Sequence, residues 1–104
     1  MGSNFNIEYS EDFDEDLRAI HTHIAYNLKN PFAASAQVSR IISATESLGI
    51  FPKLHRLRGK DRFGNDLRIY PIDNYKILYS VDEAEHIVNI SRVLYGRRNI
   101  DSLP

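Results

Sequence analysis

Near residue 50 the apolar side chains stop recurring every three or four residues, as in helices. They form instead the β-branched and aromatic runs of strands. A chain patterned this way must pack helices from its first half on a sheet from its second. Upstream of the switch, Phe13, Leu17, Ile20 and Ile24 form one apolar stripe. Ser10 stands at the N-cap position. Glu11, Asp12, Asp14, Glu15 and Asp16 follow, where the helix dipole favours negative charge. That placement explains the acidic run structurally, without a metal. The helix is expected to end near 27–29. Asn30-Pro31 then opens a second one, a capping side chain followed by proline at the first helical position. Ala34, Val38, Ile41, Thr45 and Leu48 form its inward face and Gly49 its stop. So short a link predicts an antiparallel hairpin.

Asn4 to Tyr9 alternates Phe5, Ile7 and Tyr9 with polar neighbours and reads as a first, half-buried strand. Residues 53–65 mix cations with Gly59 and Gly64, which suggests a loop or a frayed strand. Asp66 to Pro71 is expected as a strand with proline at its end or on an edge. Ile72-Asp73-Asn74 reads as a turn, Tyr75 to Val81 as the strongest strand, and Ile87 to Tyr95 as the last. The expected fold is α+β: a helical hairpin on a mainly antiparallel four-stranded sheet, in the order β-α-α-β-β-β. The expected core holds Phe13, Leu17, Ile20, Ile24, Val38, Ile41, Leu48, Ile77, Tyr79, Val81 and Ile90.

A chain of 104 residues has room for one such domain, spanning 1–104, with Met1-Gly2-Ser3 reading as a cloning scar. The absence of cysteine excludes disulfides, thiolate metal sites and a catalytic thiol, and suits a reducing compartment. No apolar run could span a membrane and no export signal opens the chain, so a cytoplasmic location is expected. The net charge of −1 conceals an imbalance: the first half is acidic and the second basic. Lys53, Arg56, Arg58, Lys60, Arg62 and Arg68 cluster in one segment, and Arg92, Arg97 and Arg98 close the chain. Two cationic clusters in the same half point to an anionic partner.

There is no glycine-rich phosphate loop, nucleophile elbow or zinc-binding histidine pair, and His21 and His23 point to different sides of their helix. His55 lies among Lys53, Arg56 and Arg58, cations that would keep it a neutral base at physiological pH. Arginine, lysine and tyrosine together suit one target, a phosphodiester. Guanidinium groups grip phosphate at two points and can stabilise the charge that develops when the adjacent RNA 2′-hydroxyl attacks. No metal or cofactor is required for that chemistry.

Six segments, in order, give the chain a family likeness. They are Tyr9 to Leu17, Asn30 to Ala34, Leu48 to Pro52, Asp66 to Tyr70, Asn74 to Asp82 and Ile90 to Arg98. Together they resemble the RelE/ParE superfamily of bacterial type II toxins over nearly the whole length. The resemblance implies the fold already read, and a cognate antitoxin whose extended or helical C-terminal segment wraps the toxin. RelE-like members cleave messenger RNA, often in the ribosomal decoding site; ParE-like members poison DNA gyrase without chemistry.

The wording at Asn74 to Ile77 and Arg92 to Arg98 is nearer the ParE side, although Tyr95 stands where histidine is common. The downstream tyrosine of the best-known nucleases is absent, and Lys76 replaces their phosphate-gripping arginine. The retained cations nevertheless favour a metal-independent endoribonuclease acting on RNA, with gyrase inhibition as the alternative. On that reading Arg68, Lys76, Arg92 and Arg98 hold the phosphate and the transition-state charge. Tyr95 and His55 orient groups or move protons. Lys53, Arg56, Arg58, Lys60, Arg62 and Arg97 bind the nucleic acid.

Overall fold

A computed structural model describes residues 4–96. Among these residues the elements run β1 (Asn6–Tyr9), α1 (Glu11–Thr22), a π-helical turn (His23–Asn27), α2 (Pro31–Ser47), β2 (Arg56–Lys60), β3 (Asp66–Ile72), β4 (Tyr75–Asp82) and β5 (Ile87–Tyr95). The sheet order is β1-β5-β4-β3-β2. β1 pairs parallel with β5, and every other pairing is antiparallel. The α+β class and the helical hairpin are as expected, but the sheet has five strands rather than four. The additional strand is β2, in the segment read as a loop or frayed strand. It pairs with β3 through a register shift between Leu57 and Gly59, where Gly59 takes a φ of +151° that side chains disfavour.

The helices start where their caps dictate. The Ser10 hydroxyl accepts the Phe13 N–H at 3.0 Å and donates to the Ser91 carbonyl at 2.7 Å, so one side chain caps α1 and ties it to β5. The Asn30 side chain accepts the Ala33 N–H at 3.0 Å, with Pro31 at the start of α2. Gly49 is required by close approach: a Cβ there would lie 3.0 Å from the Phe5 carbonyl oxygen, whose own N–H donates to Gly49 O at 2.7 Å.

The main core lies between the hairpin and the sheet and holds Phe13, Ile41, Ala44, Leu48, Ile77, Tyr79, Val81, Val88, Ile90 and Val93. Leu17 and Ile20 pack against it half-buried, and Ile24 and Val38 are also only half-buried. Ile69, Leu78 and Leu94 form a second buried cluster. By strand alternation it lies on the face turned away from the helices.

Tyr79 is fully buried and donates from its hydroxyl to the Pro52 carbonyl at 2.8 Å, fastening the segment after α2. Burial pushes this hydroxyl from 10.0 up to about 12. Between those values the unfolded chain surrenders the proton while the folded chain keeps it. This stabilisation is therefore complete below pH 10 and disappears as pH rises through about 12. Urea midpoints should fall across that window, and fall less in Tyr79→Phe; identical falls would trace the loss to the other tyrosines.

Candidate functional site

The cations singled out in the sequence fall into separate settings. On β3, the Arg68 side chain is 12% exposed. Its Nη1 donates to the carbonyls of Lys53 (3.2 Å) and His55 (2.8 Å), and its Nη2 pairs with Asp66 at 3.1 Å. Its Nε is buried without a hydrogen-bond partner. This guanidinium clamps the segment leading into β2. The His55 ring stacks on Tyr70, centroids 3.6 Å apart and planes 14° apart. Its pKa is lowered, as expected, but the cause is burial rather than neighbouring cations.

Arg92 is engaged as firmly at the other side of the sheet. Its Nε and Nη2 make a two-point pair with Asp16 of α1 at 2.7 and 2.9 Å, and the Val93 N–H donates to the same carboxylate at 3.1 Å. Those hydrogen bonds raise the Arg92 pKa above its ordinary value. A bulge makes the geometry possible: Leu78 faces Arg92 and Tyr79 faces Ile90, leaving Ser91 as the extra residue. The Ser91 hydroxyl donates to Leu78 O at 2.9 Å. Beyond Tyr9 no strand among the described residues lies beside this edge of β5, and Ser10 and α1 supply its partners.

Lys76 and Tyr95 do come together. They line a cavity of about 270 Å³ with Tyr75, Asn74 and Gly96. Tyr95 is half exposed and meets Tyr75 edge to face, centroids 6.0 Å apart; burial and the neighbouring Tyr95 raise the Tyr75 pKa. Gly96 fits because a Cβ would lie 3.0 Å from Asn74 O, to which its N–H donates at 2.6 Å. Arg97 and Arg98 lie outside the described residues.

Much of the expected nucleic-acid track is charge-compensated. Lys53 pairs with Glu83 at 2.6 Å and Lys60 with Asp66 at 2.8 Å. Hydrogen bonds from Lys60 and Arg68 hold the Asp66 carboxyl below its usual range. Arg56 is exposed on β2, Arg58 is half-buried and also engaged, and the Arg62 guanidinium lies 5.0 Å from the centre of the Phe63 ring.

Two grooves went unread in the sequence. One, of about 520 Å³, runs between α1 and the end of β5, past Ile20, His23, Tyr75 and Tyr95. The other, of about 470 Å³, continues from His23 and Tyr75 to Leu28 and Arg40. The π-helical turn sets their shared wall, and Asn27 Nδ2 donates to His23 Nδ1 at 3.1 Å to fix that ring. Arg40 and Gln37 both bond the Asp73 carboxylate at 2.9 Å, which closes the far end by joining α2 to the β3–β4 turn. Among the described residues no helix is long and apolar enough to cross a membrane, and no cluster of three or more His, Asp or Glu could hold a metal ion.

Comparison with known proteins gives a consistent answer. The family model described as ParE toxin of type II toxin–antitoxin system, parDE, matches residues 7–100. No curated protein matches the sequence. Among solved structures, the chromosomal ParDE toxin–antitoxin system of P. aeruginosa is similar at a TM-score of 0.71 and 16% identity, over 90% of this chain and 98% of that one. The RelBE2 toxin–antitoxin complex of Mycobacterium tuberculosis is similar at 0.65 and 14%, over 91% and 94%. The archaeal RelE–RelB complex of Pyrococcus horikoshii gives 0.64 and 15%, over 92% and 99%. At such identities the likeness to solved structures is one of fold.

Proposed function

The chain belongs to the ParE toxin family of type II toxin–antitoxin systems, and from that membership we propose that it arrests growth in the cytoplasm by binding a protein target, DNA gyrase, without cleaving RNA. The observation that carries this reading is the state of Arg68 and Arg92. Both were expected to grip a phosphodiester, yet one guanidinium is spent on backbone carbonyls and Asp66 and the other on Asp16. Transition-state stabilisation needs donors aimed at the place where charge develops. Donors already bonded within the protein, or buried as Arg68 Nε is, offer little to that charge. The partner in the cell is a cognate antitoxin, a reading supported by the toxin–antitoxin complexes among the structural neighbours. The grooves beside Tyr75 and Tyr95 suit an extended or helical antitoxin segment.

One observation favours the endoribonuclease reading instead: Lys76 and Tyr95 share a cavity next to Gly96, one residue before Arg97. Two assays on the purified protein separate the readings. Gyrase supercoiling should be inhibited, and the antitoxin should relieve the inhibition, while RNA incubated with chelator stays intact. Unimpaired supercoiling together with RNA cleavage would reverse the conclusion.

A further inference from the structure

The β2–β3 loop puts a large aromatic side chain in water. Phe63 is 74% exposed, at one edge of the sheet. The loop beneath it is tightly closed. The Asp61 carboxylate accepts the N–H groups of Phe63 at 2.8 Å and Asn65 at 3.0 Å. The Asp61 N–H donates to Asn65 O at 2.9 Å, and the Gly64 N–H to Asp61 O at 3.0 Å. Gly64 turns the chain at a φ of +84°, a conformation other residues resist. Arg62 lies against the Phe63 ring. A ring carried on a closed loop loses little backbone freedom when it docks, and phenylalanine and arginine are both enriched at protein interfaces.

We propose that Phe63, with Arg62 beside it, is the anchor by which this toxin engages its protein target, entering an apolar socket rimmed by carboxylates. The proposal rests on the reading above that the target is a protein. Shape and charge select this occupant. A projecting ring needs a recess in a folded partner, whereas a wrapping peptide needs a groove, and the grooves lie beside Tyr75 and Tyr95. Arg62, against the ring, favours an acidic rim. An RNA backbone would ask for a row of open cations, but Lys53, Lys60 and Arg68 are paired with carboxylates.

The test induces wild type, Phe63→Ala, Arg62→Glu and Phe32→Ala in cells lacking the antitoxin, and reads growth. It also measures antitoxin affinity and thermal unfolding of each purified chain. Phe32 is 87% exposed at the start of α2 and controls for loss of any exposed aromatic. Phe63→Ala and Arg62→Glu should weaken arrest by about tenfold or more. Phe32→Ala should arrest like wild type, and all three should keep wild-type melting and antitoxin binding. Wild-type arrest by Phe63→Ala would overturn the proposal. So would lost antitoxin affinity in that variant, which would assign the loop to the antitoxin. Supercoiling by gyrase holoenzyme is read in parallel with wild type. If wild type arrests growth but leaves supercoiling intact, gyrase is the wrong target, while the growth comparison still decides the role of Phe63.

Discussion

Asp16→Ala should destabilise the domain by about 2–4 kcal/mol, close to the cost of removing one partner of a buried ion pair. The carboxylate accepts three N–H groups, two from the Arg92 guanidinium and one from the Val93 backbone. Neither side chain is far in solvent: Arg92 is 26% exposed and Asp16 15%. Alanine leaves a cation without its counter-charge and a backbone donor unpaired beside a helix, and each is a desolvation loss in its own right. In a domain of this size each kcal/mol moves the melting temperature by about 4–8 °C, so a fall of at least about 8 °C is expected. Arg92→Ala should cost less, because the remaining carboxylate still accepts the Val93 N–H. Urea denaturation of both single variants and the double variant gives the coupling directly. A melting temperature within a degree of wild type for Asp16→Ala would mean that α1 is held to β5 by packing alone.

Arg68→Ala is expected to cost about 2–3 kcal/mol. The guanidinium joins Asp66 on β3 to the carbonyls of Lys53 and His55, so its loss strands two acceptors and frees the chain entering β2. The decisive readout is local: amide exchange should speed up from residue 53 to 60 while α1 keeps its protection. Arg68→Lys should recover only part of the loss, since one ammonium cannot reproduce a planar group bonded on two sides. If Arg68→Ala melts like wild type and alters toxicity alone, the guanidinium serves a target and the clamp is incidental.

The helices could be read because their signals are local. Ser10 and Asn30 cap within three residues, and the stripe from Phe13 to Ile20 faces one way. The stripe runs out at Ile24, which lies in the π-helical turn and, unlike Leu17 and Ile20, is not among the side chains packed against the main core. Five residues are too few for a change of period to be seen. β2 was hidden for a different reason: Arg56-Leu57-Arg58-Gly59-Lys60 has a bulge in place of clean alternation, and its pairing depends on β3. At the candidate site, residue types could be read but their employment could not. The helix dipole already explained Asp16, and nothing local joins it to Arg92, 76 residues away. Arg68 likewise looked available because its carbonyl partners are invisible as side chains. The second buried cluster, Ile69, Leu78 and Leu94, lies outside the expected core because it gathers residues from three strands that only the sheet pairing brings together.

The order of the sheet has a consequence for how the toxin is born. Among the described residues β5 is the last strand synthesised, yet it lies between β1 and β4. The first strand and first helix find their backbone partners only there: Asn6 to Tyr9 pair with Ile87 to Ile90, and Ser10 bonds across to Ser91. Contacts spanning most of the chain must therefore form before either end is secure, and such topologies fold slowly for their size. While translation proceeds, α1 emerges with its apolar stripe and has only α2 to dock on until the sheet follows. The nascent sheet stays incomplete until β5 clears the ribosome and takes its place between β1 and β4.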